Sequence, residues 1–122
     1  MPSEKQLIAV LEKIQNDASG FIAASLVDLD SGMTLAVRSV RPDFDLTAAS
    51  AYNSELVKQK LKIMNTLQLS GSIEDMLISL TEQIHLIKLI NPNTFLYMAV
   101  DRSQSNLAIV RSAVARHAKE LD

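Results

Sequence analysis

Residues 72–114 constrain this chain more than any other stretch. SIEDMLISLT, QIHLIKLI and FLYMAVDR follow one another, and NLAIVRSAV comes next. Each of the three runs is rich in Ile, Leu, Val or aromatics and ends at turn residues, the pattern of consecutive antiparallel strands. The first step is the short polar Glu82-Gln83. The second is Asn91-Pro92-Asn93-Thr94. Pro fixes φ and Asn tolerates a left-handed position, so Asn-Pro-Asn is strong turn chemistry. The chain then passes through Asp101-Arg102-Ser103 into a final helix starting near Ser103, with Leu107, Val110, Val114, His117 and Leu121 along one stripe.

The first half divides as clearly. Ser3 with Gln6 three residues on makes a capping box. Leu7, Leu11, Ile14 and Ala18 follow at helical spacing, and Gly20 suits a left-handed turn after that helix. GFIAASLVD reads as a buried strand, Asp28–Gly32 as a hairpin connection and MTLAVRSV as the returning strand. Pro42 with Asp43 or Asp45 opens a second helix, which runs to about Leu67, and Gly71 breaks the chain before the three-strand block. With 122 residues, 48% of them apolar, there is chain enough for one domain, residues 1–122, with its own core.

The resulting order is α-β-β-α-β-β-β-α. It predicts an α+β fold, an α/β sandwich with one five-stranded antiparallel sheet and helices on its faces. The ordered set IEDMLISL, QIHLIKLI, FLYMAVDR and NLAIVR, with the helix–hairpin–helix ahead of it, resembles the bacterial branch of the Roadblock/LC7 family, whose fold is profilin-like. The resemblance covers most of the chain and rests on the whole pattern. It implies strand order 2-1-5-4-3, with the first and last helices on one face and the middle helix on the other.

The middle helix carries two apolar stripes. Leu46, Ser50, Val57, Leu61 and Met64 form one, and Ala49, Tyr52, Leu56, Ile63 and Leu67 form an adjacent one. Together they span roughly half the circumference, against ~100° for a helix that packs on one side only. Glu55, Lys58, Gln59 and Lys62 occupy the opposite side. Either the helix is sunk deeply in its own sheet, or one stripe packs on the sheet and the other on a second copy. The family resemblance favours the second: it implies a homodimer in which this helix pairs antiparallel with its twofold mate and the strand Ile73–Leu80 pairs edge to edge. The expected self-contact residues are Val57, Leu61, Met64, Ile73 and Leu77. Tyr52, Asn53 and Lys60, polar or aromatic beside the apolar arc, are the expected contacts for another protein.

Chemistry-bearing constellations are few. Asp28 and Asp30 sit in a turn, where Asp usually satisfies local N–H groups. Glu74-Asp75, read as neighbours in a strand, would point to opposite faces. His85 lies mid-strand among apolar residues and His117 near a helix C-terminus, and no i, i+4 or short-loop His/Asp/Glu set surrounds either. Asp101 or Ser103 caps the last helix, and Arg102 beside them invites an arginine-finger reading, weaker than simple strand termination. Lys58, Lys60 and Lys62 read as a solvated face. No G-x-S-x-G, G-x-x-x-x-G-K-[ST] or G-x-G-x-x-G occurs. The expectation is therefore no catalytic residue, no cofactor and no metal.

Net charge is −2, which gives no bulk pull toward nucleic acid or anionic membrane. The chain has no cysteine, which is compatible with a reducing cytoplasm. No apolar run approaches a membrane span, and MPSEKQ does not read as a signal peptide. A cytoplasmic protein is the expectation. The resemblance implies a non-enzymatic regulator or scaffold of a small Ras-like GTPase. The alternatives are a light-chain-like structural adaptor without effect on nucleotide turnover and, more weakly, a small-molecule sensor. Without a phosphate loop or a nucleophile–base pair, the purified protein is expected neither to hydrolyse GTP or ATP nor to bind Mg·GTP at micromolar concentration. A clear one-site calorimetric isotherm with Mg·GTP would contradict this.

Overall fold

The computed structural model describes residues 2–121. The elements are α1 (Glu4–Asp17), β1 (Phe21–Asp28), β2 (Thr34–Ser39), α2 (Leu46–Thr66), β3 (Met76–Ser79), β4 (Gln83–Asn91), β5 (Thr94–Asp101) and α3 (Leu107–Ala118). Single 3₁₀ turns occupy Arg102–Gln104 and Lys119–Leu121. The order is α-β-β-α-β-β-β-α, as expected. All strand pairs are antiparallel, and the sheet runs β2-β1-β5-β4-β3, as the family resemblance implied.

Local signals place most element ends. Ser3 Oγ accepts from the Gln6 amide at 3.2 Å and Gln6 Oε1 accepts from the Ser3 amide at 2.8 Å, the reciprocal capping box that starts α1. Asp45 starts α2 by accepting from the Ala48 amide at 3.0 Å. The last helix begins later than the sequence suggested. Asp101 accepts from the Ser103 amide at 2.9 Å and closes a 3₁₀ turn of its own, and α3 then starts afresh with Asn106 accepting from Ile109 at 3.1 Å.

β1 and β5 lie in the middle of the sheet and are apolar along nearly their whole length because both faces are covered. Ala24, Leu26, Leu96, Met98 and Val100 pack with Leu11 and Ile14 of α1 and Val110 and Val114 of α3. On the other face Ala23, Val27, Phe95, Tyr97 and Ala99 pack with Leu46 and Val57 of α2.

The N-terminal half of α2 is drawn tightly onto β1 and the β1–β2 turn. The hydroxyls of Ser25 and Ser50 share a 2.8 Å hydrogen bond, and Ser54 Oγ donates to the Leu29 carbonyl at 2.7 Å. All three serines are fully buried, so these bonds replace the ones lost to water. Lys58 Nζ donates to the Asp30 carbonyl at 2.8 Å on the flank. Gly32 has φ +75°, and a Cβ there would stand 3.3 Å from Ala51 Cα.

Two expectations fail in the segment between α2 and β4. The third strand holds only four residues, and Ile73, Glu74 and Asp75 precede it in irregular chain. Glu74 and Asp75 therefore do not alternate across a sheet. Both reach Arg111 of α3: its Nε lies 2.8 Å from Asp75 and its Nη2 4.0 Å from Glu74. The two carboxylates act together, as an anchor tying this segment to the opposite layer.

Gly32→Ala and Gly71→Ala separate backbone strain from crowding. Gly71 also has positive φ, at +91°, but nothing lies within 4 Å of its missing Cβ. Gly71→Ala is expected to cost ~1–2 kcal/mol, the strain of a left-handed Ala alone. Gly32→Ala is expected to cost more, because α2 must also shift. Urea unfolding of both variants measures the difference, and equal losses would remove the close approach of α2 as a stabilising feature.

Candidate interaction surface

Both stripes predicted on α2 exist, and the structure tells them apart. Leu46, Ser50, Ser54 and Val57 are buried, and Leu61 packs partly buried against the same core. Met64 is half-buried at the lower flank. This stripe faces the sheet. Val57 is 0% exposed, so it cannot line a contact with a second copy, and its expected role is corrected: it fills the protomer core beside Ile87 and Tyr97. Leu61 likewise contributes to the protomer's own packing. Of the other stripe, Ala49 packs half-buried against the same core, whereas Tyr52, Leu56, Ile63 and Leu67 are all exposed large apolar or aromatic side chains.

The outward stripe borders a cleft. Lys60, Met64, Leu69, Ile73 and Met76 line a hollow of about 430 Å³ between the second half of α2, the irregular segment and β3, with Glu74 and Asp75 at its mouth. The structure thus brings Met64, Ile73 and Lys60 together. Leu77 it places elsewhere: its side chain packs on the core under α1 and α3. The backbone of β3 remains relevant, because β3 is the last strand of the sheet and pairs only with β4. Tyr52 and Lys60, expected to bind another protein, stand on or beside the outward apolar stripe itself. Asn53 is half-buried, with Nδ2 donating to the Ala49 carbonyl at 2.7 Å.

The other polar groups singled out in the sequence make local hydrogen bonds. His85 Nε2 lies 2.8 Å from Gln83 Oε1, which can only accept, so the proton sits on Nε2. Its Nδ1 then accepts from the Tyr97 hydroxyl at 3.3 Å. Phe44 and Tyr97 both meet the ring edge to face, with centroids at 6.5 and 5.4 Å. Burial pushes the His85 pKa down and the Tyr97 phenol up to about 12, so both stay neutral near pH 7. Arg102 Nη1 donates to the Leu80 carbonyl at 2.9 Å and its backbone amide to Glu82 at 2.9 Å, which braces the β3–β4 hairpin.

Asp28 accepts from Ser31 N and Oγ at 3.0 and 2.7 Å, a turn lock as expected; these bonds hold its carboxyl below the usual range. His117 meets two carboxylates: Asp17 of α1 at 2.6 Å, which sequence spacing could not reveal, and Glu120, three residues on, at 3.3 Å. Lys13 also pairs with Glu120, at 2.7 Å, so the cluster clasps α1 to α3. Among the described residues no group of three or more His, Asp or Glu is placed to hold a metal ion, and no helix is long and apolar enough to cross a membrane.

The sequence matches no family model, and no curated protein matches it. Solved structures do match. MglB of Myxococcus xanthus superposes with a TM-score of 0.89 at 15% identity, over 99% of this chain and 88% of that one. A Roadblock/LC7 domain from Streptomyces avermitilis gives 0.81 at 16% identity, over 93% and 92%. The gliding protein MglB of Thermus thermophilus gives 0.84 at 15% identity, over 97% and 87%. The chain has the Roadblock/LC7 fold.

Within the Roadblock/LC7 fold, the large exposed apolar residues of α2 are those that the helical wheel assigned to the second stripe, Ala49 excepted. Leu56 and Ile63 were visible as apolar positions in the sequence, but nothing there said which stripe faces the sheet. The signal that decides it is the pair Ser50 and Ser54. Two small hydroxyl residues one turn apart allow the helix to approach β1, and hydropathy alone ranks them as surface.

The His85 environment gives a pH dependence. Its folded pKa is lowered from 6.5, so below about pH 6.5 the unfolded chain binds more protons than the folded one. Stability contributed by neutral His85 is present above that value and lost as pH falls toward the folded pKa. The depressed carboxyls of Asp17, Asp28 and Asp101 act lower, losing their contribution only as pH falls past 3.8. Between pH 7 and 5, the wild-type melting temperature is expected to fall more than that of His85→Gln. Parallel curves would show that His85 carries no such linkage.

Proposed function

We propose that this protein is a homodimeric, non-enzymatic member of the Roadblock/LC7 family that acts in the cytoplasm as a platform for a small Ras-like GTPase. The observation that carries this reading is the outward stripe of α2. A helix with one apolar face on its own sheet and a second in water is half of a helix–helix contact. The adjacent cleft and the open edge of β3 extend the same surface. An isologous pair formed here would bury that stripe, cover the edge strand and join the two sheets. The result is a broad rigid face against which the mobile switch segments of a GTPase can be ordered.

The likeness of the fold to MglB supports the same direction, as does the pattern of strands that first suggested the family. The alternative, a structural adaptor with no effect on nucleotide turnover, shares the dimer and differs only in what the partner does after binding.

A solution mass near twice 13.4 kDa is expected at micromolar protein. Leu56→Asp with Ile63→Asp is expected to give a folded monomer, since both side chains are already partly exposed in the protomer and each charge would be unpaired in the contact. A wild-type monomer across the micromolar range by light scattering would refute the dimer.

For the GTPase, the contact is assigned to the α2 layer. The charge swap Glu55→Lys with Lys62→Glu alters the solvent side of α2 and leaves the apolar stripe intact. It is expected to weaken binding of a GTPase recovered by pull-down at least about tenfold, as lost charge pairs and imposed like-charge contacts do at interfaces. The pair Lys5→Glu and Lys119→Glu, on the α1–α3 layer, is expected to change little. The reverse result would move the site to that layer. Turnover assays on the recovered GTPase then separate regulator from adaptor.

A further inference from the structure

At the end of the sheet opposite β3, β2 is a terminal strand that pairs only with β1. We propose that β2 is a docking edge for another protein, which adds an extended segment there with apolar residues on one face and an acidic residue on the other, against Arg38. Three strands separate β2 from β3, so this contact is independent of the self-contact proposed above.

The backbone leaves one half of β2 open. The Val40 amide donates to the Ile22 carbonyl at 2.9 Å, and the pairs Ala24 with Arg38 and Leu26 with Ala36 follow at steps of two residues. Antiparallel pairing alternates, so Ala36 and Arg38 turn their N–H and C=O toward β1, and Val37 and Ser39 turn theirs away from it. The register shifts between Leu26 and Val27 and leaves Leu35 without a partner, as a bulge does. An added strand therefore pairs with residues 36–40, past the bulge.

Side chains on that stretch divide by face. Val37 pairs with Ser25, whose hydroxyl meets Ser50 of α2, so Val37 projects on the α2 side. The helix lies over β1 and leaves Val37 45% exposed, with Leu35 and Val40 also exposed beside it. Ala36 is buried in the core under α1, and Arg38 Nε donates to Gln15 Oε1 of α1 at 2.7 Å, so these two project on the other side. An incoming strand alternates in the same way. Its apolar residues extend the Val37 patch, and the residue between them lies beside Arg38. Main-chain bonds give such a contact its affinity and the alternating side chains its specificity.

Charge selects the occupant. Gln15 is neutral, and Arg38 forms no ion pair among the described residues. Arg41, three residues on, has Asp43 at 3.7 Å and feels Asp101. Residues 33–41 hold two arginines and no acid. Pairing β2 with a second copy of itself would gather four guanidinium groups in one seam without a carboxylate from either strand, and like charges across a strand pair are destabilising. Arginine and bulge together guard the edge against its own kind. An acidic strand turns the same arginine into an attraction.

The probe is an acetylated, amidated peptide Thr-Val-Glu-Val-Glu-Val-Thr, with Thr-Val-Lys-Val-Lys-Val-Thr as control. In amide NMR titrations of the whole chain, the acidic peptide is expected to shift Val37 and Ser39 and to bind at least about tenfold more tightly than the lysine peptide. Arg38→Glu is expected to reverse that preference. Val37→Pro removes an outward N–H that no strand of the protomer uses, a position where an edge strand accepts proline. It is expected to weaken the acidic peptide about fivefold, the worth of one hydrogen bond with its geometry. If the proline variant unfolds, the exposed Arg38→Glu site still decides the matter.

Equal binding of the two peptides overturns the proposal. So does an acidic peptide that does not bind at millimolar concentration, or shifts centred on the cleft between α2 and β3. A wild-type oligomer that Val37→Pro splits into folded protomers assigns the edge to a second copy and overturns it too. The α2 contact is tested separately by Leu56→Asp with Ile63→Asp, so neither result decides the other.

Discussion

Everything on the α2 side of this sheet depends on how closely one helix can approach one strand. The buried serines make that approach possible. Ser50 and Ser54 are small enough to let α2 settle onto β1 and the β1–β2 turn, and their hydroxyls find Ser25 and the Leu29 carbonyl there. Gly32 removes the last obstacle beside Ala51. These contacts fix the roll of the helix about its own axis. Once the roll is fixed, Val57 must point inward, and Leu56 and Ile63 must point out.

The two faces of the sheet are consequently unequal. α1 and α3 together cover one face, and their contact is closed by the His117, Asp17, Glu120 and Lys13 clasp. α2 alone covers the other, leaving the cleft toward β3. The segment that leads into β3 is not loose on that account. Arg111 holds Asp75 from the far layer, and Arg102 holds the β3–β4 hairpin. An apolar helix stripe beside an anchored cleft and a terminal strand leaves little to be ordered on binding, which is why the proposed contact is placed there.

The polar groups of the molecule support this reading by what they are engaged in. His85, Arg102 and Asp28 each make local hydrogen bonds: the histidine with Gln83 and Tyr97, the arginine with Leu80, the aspartate with Ser31. The protein's distinctive surface is apolar and belongs to a helix.

Period and punctuation in the sequence determined the elements and their order. The apolar runs between the Asn-Pro-Asn, Glu-Gln and Asp-to-Gly turns form strands, the third over only part of its expected length, and the capping box at Ser3 begins a helix. These are local preferences, acting within a few residues, and a sequence displays them directly. The family resemblance then supplied the strand order, which local preference does not contain. What only the tertiary structure decided is the assignment of the two α2 stripes, the short β3, the joint use of Glu74 and Asp75 by Arg111, and the meeting of His117 with Asp17. Each depends on distances between residues far apart in the chain. The roll of α2 shows why: both stripes satisfy the same helical period, and the choice between them lies in two hydroxyl groups that become apolar-layer residues only when β1 is beneath them.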